Sequence, residues 1–341
     1  MNTIIFCTDK NYVKLIPYVL KTFLKYHEIE KYNFYFILYD NDKNIHHDIL
    51  KIVNKINSIN NININIFYKY FTPSDELKKL VTDYTNIINN NNTVYNNYAN
   101  WSRFYISELF PEIEKGLYLD LDILIKGNID DIFKTDIDNN IVAIIPYDTF
   151  ILKHITKFLN KKIINDYDNI KNIIDNNSNF LKLLKELNID FDDLKNFSYN
   201  CGVIYFNFKL FNKNKILDKI LFLLKFMIDN NFPLLRSGTE KTMNFIINKY
   251  TSLPEDYNLI YNKNIKDTTK IIHFKGKSDL PNKEFKKIYT RIIKAASIAA
   301  QDVATQEVAD VAAHVAAHVA DVADVADVAD VADQEAATRE Q

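Results

Sequence analysis

The sequence predicts an α/β fold: a mixed, mostly parallel sheet flanked by helices. Three observations point there. Short apolar runs alternate with segments of helical spacing, the apolar runs end in polar residues, and 47% hydrophobic content over 341 residues can bury a large core. Ile4-Ile5-Phe6-Cys7 is a short apolar strand, and Leu15, Val19, Phe23 and Tyr26 recur at the three- or four-residue spacing of a helix over 15–26. A second strand, 34–39, runs into the turn residues Asp40-Asn41-Asp42. A helix over 47–56, a strand over 62–68 and a helix over 101–110, stopped by Pro111, follow. Strands are predicted over 117–125 and 141–145, and Met243 to Ile247 reads as buried helix. In such sheets ligands bind at the carboxyl ends of the strands. The polar residues there are Thr8, Asp9, Asp40, Asp120, Asp122 and Asp148.

The 42 Lys and Arg nearly balance the 44 Asp and Glu, for a net charge of -2, so charge alone attracts no nucleic acid. Two cysteines, Cys7 and Cys201, with no CxxC spacing fit a reducing compartment. No basic leader with a long apolar core is visible, and no apolar run has membrane-span length. A soluble, cytoplasmic protein without a membrane span is expected.

The composition changes abruptly at Ala295, where Asn, Ile and Lys give way to Ala, Val, Asp and Gln. Val-Ala-Asp then repeats from about Val319 to Asp333. A period of three matches neither helix nor strand, so no steady apolar face results. One domain is therefore expected over 1–294, with an Asn- and Lys-rich helical insert at about 150–197. Residues 295–341 form a low-complexity tail, disordered or loosely helical. His314 and His318 lie four apart, but within this repeat they read as composition rather than as metal ligands.

The sharpest local feature is Tyr118-Leu119-Asp120-Leu121-Asp122-Ile123-Leu124-Ile125. In a strand Leu119, Leu121, Ile123 and Ile125 would be buried while Asp120 and Asp122 share the other face. Two carboxylates that close repel unless a cation lies between them, and carboxylate oxygens suit Mg2+ or Mn2+. Taken alone, the pair reads better as the acidic outer face of a half-exposed strand.

Six blocks, in order over about residues 3 to 282, resemble glycosyltransferase family 8, a retaining family of the GT-A fold that includes glycogenin-like and lipopolysaccharide galactosyl- and glucosyltransferase-like enzymes. Ile5-Phe6-Cys7-Thr8-Asp9-Lys10-Asn11-Tyr12 resembles the opening strand and nucleotide loop, and Asn100-Trp101-Ser102-Arg103-Phe104 the arginine helix. Asp120-Leu121-Asp122 with Gly127-Asn128-Ile129-Asp130-Asp131-Ile132-Phe133 resembles the metal motif. Tyr199-Asn200-Cys201-Gly202 is similar to the FN(A/S)G strand, Leu253-Pro254 with Tyr257-Asn258 to the LPxxYN element, and His273-Phe274-Lys275-Gly276 to the late histidine motif.

The resemblance implies the following roles. Thr8, Asp9, Asn11 and Tyr12 face the nucleotide, with uracil and ribose held by the last three. Arg103 reaches the donor phosphates or sugar. Asp120, Asp122 and His273 ligate Mn2+ (or Mg2+), with Leu121 between the acids. Asn200 and Gly202 shape the sugar side, and Gly276 and Lys277 lie by the diphosphate.

Two departures stand out. The family's lysine is not at its usual offset after Gly276, leaving Lys277 or Lys275 to replace it, and an acidic segment reads Thr239-Glu240, with glutamate where glutamine is usual. Glu240, Arg103 and Asn200 are the catalytic candidates. The implied activity is metal-dependent transfer of a sugar from a UDP-sugar to a hydroxyl on a glycan, protein or lipid. Two alternatives stay open: a catalytically impaired UDP-sugar-binding module, and a structural protein that forms homo-oligomers through its tail. Truncation after Lys294 is expected to leave the melting temperature and UDP binding unchanged, because all six blocks precede it. A large fall in melting temperature would show that the tail packs on the body.

Overall fold

The computed structural model describes residues 1–39, 44–87, 97–150, 167–231, 238–261, 264–275 and 279–295, with backbone alone at 148–150, 167–168, 195 and 197. Strand β1 (Asn2–Asp9) is central. Its Ile4, Ile5 and Phe6 are at most 1% exposed, as an apolar run without alternation requires when both faces of a parallel strand are covered. On one side lie β2 (Tyr32–Tyr39) and β3 (Asn65–Tyr70), on the other β4 (Lys115–Leu119), all parallel. After β5 (Ile123–Ile125) come β6 (Val142–Phe150), β7 (Phe197–Asn207) and β8 (Thr251–Ser252). The large sheet has the order β3-β2-β1-β4-β7-β6-β8, and β7 alone runs against its neighbours. A smaller sheet joins β5, β10 (Ile271–His273) and β9 (Leu259–Ile260), in that order.

The helices follow the apolar spacing of the sequence. Ile16–Phe23 buries Ile16, Val19, Leu20 and Phe23, and Ile45–Asn60 buries Ile45, Ile49, Val53 and Ile56. Asp75–Ile87 buries Leu77, Val81 and Tyr84 and packs against Ile216–Asp229. Within the expected insert, helices Tyr167–Asp175 and Ser178–Leu187 are seen. By contacts the chain divides into Met1–Lys286 and Lys287–Gln341; the described part of the second, through residue 295, is helical. Asp40 and the repeat lie outside the described residues. Among the described residues no helix is long and apolar enough to cross a membrane.

Two expected elements are broken. The strand expected over 117–125 splits into β4 and β5, which belong to different sheets, and Asp120–Asp122 form the link between them. The acids therefore share a crossing between sheets rather than a strand face. The expected helix 101–110 is instead Tyr98–Ser102, a 3-10 turn at Arg103–Tyr105, and Ile106–Leu109.

Strand β7 also departs from regularity. Ile144 of β6 faces Ile204 of β7, yet Pro146 faces Tyr199, so Asn200–Val203 bulge out of the β6 ladder. Pro146 has no N–H to offer Tyr199. The carboxamide of Asn244, 1% exposed on helix Gly238–Ile246, supplies both partners instead. Its Nδ2 donates to Tyr199 O (2.9 Å), and its Oδ1 accepts from Tyr199 N (2.6 Å). Asn244→Leu is expected to strand a buried N–H and C=O and cost about 2 kcal/mol or more. Urea denaturation reads this directly, and a change below about 0.5 kcal/mol would mean that other groups satisfy Tyr199.

Candidate active site

The site lies where the two sheets meet. Asp120 follows β4, and its N–H donates to Gly202 O of β7 (2.8 Å). Asp122 precedes β5, and its carbonyl accepts from Phe274 N (2.8 Å), the residue after His273. His273 pairs with Ile123 on one side, and on the other its carbonyl accepts from Tyr261 N (2.8 Å). His273 Nε2 is 3.1 Å from Asp122 Oδ1 and 3.7 Å from Asp120 Oδ2. One ligand atom from each of the three lies within 4.8 Å of the others. Asp122 and His273 are buried, and Asp120 is 25% exposed toward the cleft.

The imidazole reaches this position because residue 202 is glycine. A Cβ there would lie 2.1 Å from His273 Cε1 and 2.9 Å from Asn200 Oδ1. Neither a core histidine nor a buried strand can yield that much space.

The charges are held from behind by buried Arg103. Its Nη1 donates to Cys201 O (3.1 Å), its Nε to Asn100 O (3.1 Å), and its Nη2 lies 3.6 Å from Asp120 Oδ1. The guanidinium also sits over the Tyr118 ring, 5.0 Å from its centre, while the Tyr118 hydroxyl donates to Asp120 Oδ1 (2.6 Å). Burial pushes the Asp120 carboxyl above the usual range; Arg103 opposes the shift and Asp122 adds to it. Burial also works against the Asp122 carboxylate, but His273 outweighs it and holds that carboxyl low. Conversely, burial would lower the His273 imidazole, and Asp122 with Asp120 raise it.

This donor set fits a hard divalent cation. Two carboxylates and one imidazole suit Mn2+ or Mg2+, and among the described residues buried Asp122 Oδ1 has no polar partner beyond the 3.1 Å approach of His273 Nε2.

A cleft of about 400 Å³ opens in front of the acids, lined by Thr8, Asp9, Tyr12, Asn97, Leu121 and others. Asp9 Oδ1 accepts from the N–H groups of Asn11 (2.8 Å) and Tyr12 (3.2 Å), and Oδ2 from Asn97 Nδ2 (3.0 Å). The Tyr12 phenol is pushed up to about 12 by burial, then by Asp122, Asp120 and Asp9, so it stays protonated near the acids.

Behind the acids, Asn200 Nδ2 donates to Glu240 Oε2 (2.8 Å), and Lys275 Nζ lies 2.8 and 3.1 Å from the two Glu240 oxygens. Lys275 is also 5.4 Å from the centre of the Tyr147 ring.

The candidates read from sequence thus gather at one place, with Thr8, Asp9, Tyr12 and Leu121 on the cleft and Asn11 in its turn. Gly276 and Lys277 lie outside the described residues, as does the side chain of Asp148. Three participants were not singled out: Tyr118 on Asp120, Asn258 on His273 and Asn97 on Asp9. The first two stand inside quoted blocks. Asn97 follows an Asn-rich stretch that hides it.

The family model of glycosyl transferase family 8 matches residues 3–278. No curated protein matches the sequence. Solved structures similar to the chain include the bifunctional glycosyltransferase WbbM (17% identity, TM-score 0.54), over 86% of this chain and 49% of that one. The chain thus spans about half the length of WbbM. Galactosyltransferase LgtC with donor and acceptor sugar analogues is 11% identical, with TM-score 0.56 over 86% and 95% of the two chains. GlyE of Streptococcus pneumoniae TIGR4 is 14% identical, with TM-score 0.52 over 86% and 61%. At these identities the likeness is one of fold, and the fold is GT-A. With the family model spanning nearly the whole body, the chain belongs to glycosyl transferase family 8.

Proposed function

We propose that this glycosyltransferase moves a sugar from a UDP-sugar to a hydroxyl acceptor, with retention of configuration and with Mn2+ or Mg2+. The observation that carries the reading is the convergence of Asp120, Asp122 and His273 at the foot of a cleft whose other wall is the Asp9 turn. Asp120, Asp122 and His273 would hold the cation, which would supply positive charge to offset that of the departing UDP. The remaining work belongs to side chains. Asp9, Asn11 and Tyr12 hold uracil and ribose. Arg103 presents Asp120 and adds positive potential behind the diphosphate, and Lys275 or Lys277 takes the part of the family lysine. Asn200, Gly202 and Glu240 form the sugar wall.

Glu240 is engaged by both Lys275 and Asn200, which supports a positioning role over attack on the anomeric carbon. Front-face attack by the acceptor, assisted by the leaving phosphate, then needs no protein nucleophile. The same pairing, with Thr239 in place of an acid, favours a second reading: a module that binds UDP-sugar without transfer. A panel of UDP-sugars with Mn2+ or with chelator, read by UDP release over a range of acceptors, separates the two.

Asp120→Asn, Asp122→Asn and His273→Ala are each expected to weaken Mn2+-dependent UDP binding by more than the roughly 10–100-fold typical of outer partners. Calorimetry checks this, and wild-type affinity that chelator leaves unchanged would falsify the metal reading. The same titration carries a pH test. Because the acids raise the His273 imidazole, a proton competes for its Nε2 to higher pH than at an ordinary histidine. Mn2+-dependent affinity should therefore fall as pH falls through that range.

Glu240→Gln is expected to keep UDP affinity while slowing transfer or changing donor preference, and Glu240→Ala to slow it further. Wild-type transfer rates in both variants would remove Glu240 from the sugar wall.

A further inference from the structure

We propose that Asn258 and Asn200 are positioning residues that fix the tautomer of His273, keeping its Nε2 lone pair aimed at Asp120 and Asp122. The proposal rests on the metal-binding reading above. Its warrant is a chain of buried hydrogen bonds whose direction is set at both ends. At one end the backbone N–H of Gly202, which can only donate, meets Asn200 Oδ1 at 2.9 Å. At the other end the carboxylate of Glu240, paired with the Lys275 ammonium, accepts from Asn200 Nδ2 at 2.8 Å. Both ends orient the Asn200 amide the same way.

The rest follows link by link. Asn200 Oδ1 lies 3.2 Å from Asn258, so the group there is the Nδ2 donor. The Oδ1 of Asn258 therefore faces His273 Nδ1, 2.9 Å away. An amide oxygen only accepts, so Nδ1 carries the hydrogen and the Nε2 of the neutral ring is left unprotonated. The opposite tautomer would press Nδ1 against Asn258 Oδ1 at a site with no room for a cation between them. The proposed one sets Nε2 against Asp122 Oδ1 at 3.1 Å, a crowding that a bound cation relieves. Turning Asn258 over to relieve the clash at Nδ1 would set its oxygen against Asn200 Oδ1. Turning Asn200 over would set its NH2 against Gly202 N–H and its oxygen against the Glu240 carboxylate. Each rescue costs another buried hydrogen bond.

The two asparagines are 3% and 5% exposed, so water offers no alternative partner at low cost. Three acceptors, Nε2 and one oxygen from each acid, are thereby left facing one space. The asparagines never touch that space. They act through the ring, as outer partners of metal-ligating histidines do.

The test uses the full chain labelled with 15N-histidine, free of metal, at a pH where the imidazoles are neutral. Of the 7 histidines, the signal of His273 is assigned by its loss in His273→Gln. The expected spectrum shows Nδ1–H in the wild type. Asn258→Leu should shift the ring toward the Nε2–H form and weaken Mn2+ binding, measured by calorimetry, by about 10–100-fold. Asn258→Asp keeps an acceptor for Nδ1 and should retain Nδ1–H, although its second oxygen meets Asn200 Oδ1 and lowers the stability of the variant. An Nε2–H signal in the wild type overturns the proposal, as does Asn258→Leu with an unchanged tautomer and unchanged affinity. If Asn258→Leu does not fold, the wild-type and Asn258→Asp spectra decide the matter. A wild type that shows Nδ1–H yet binds no Mn2+ would sink the metal reading alone, so the two failures are distinguishable.

Discussion

Asp120, Asp122 and His273 crowd negative charge and lone pairs into a space under 5 Å across, and that crowding is the constraint that much of the chain answers. Groups of one sign hold together only against opposite charge, and burial sharpens the demand. Arg103 meets part of it from behind, buried and bonded to Cys201 O so that it cannot swing away. The backbone meets the geometric part. Asp120 is tied to the large sheet through Gly202, and Asp122 to the small sheet through Phe274. The link between β4 and β5 is therefore pinned at both ends, and the acids keep their separation without sharing a strand.

Much of this was legible in the residue order. The apolar run of β1, the spacing of the first two helices and the polar residues beyond the strands all mark their places. The Asp-Leu-Asp pair lies on the cleft, within reach of His273. The reason offered for pairing the acids, alternation along one strand, does not hold, because the chain changes sheets between the two acids. Periodicity cannot reveal that change. Leu119, Leu121 and Ile123 are buried either way, at 0%, 3% and 0% exposure, so the pattern of apolar residues is identical for one strand and for a crossing.

What stayed hidden was the role of the neutral amides. Asn244 mends the ladder that Pro146 interrupts, Asn258 reaches His273, and Asn97 braces Asp9. In a chain so rich in asparagine, Asn244 and Asn97 do not differ in sequence from their neighbours in loops and helix caps, and the block that holds Asn258 does not name its partner. The assignments depend on contacts between residues 45, 15 and 88 positions apart, respectively. Charged and apolar residues declare themselves by pattern. A buried carboxamide is recognised only by what it touches.

The absent side chain at position 202 links two positions 71 apart in a way that selection can act on. A Cβ there would strike the ring of His273, so while the histidine is needed the glycine cannot change. A descendant that gave up the histidine would release that prohibition at once, and drift could fill the space. Among relatives, a larger residue aligned with Gly202 should therefore accompany a smaller residue aligned with His273. Finding the two together would mark lineages that have abandoned this centre while keeping the fold.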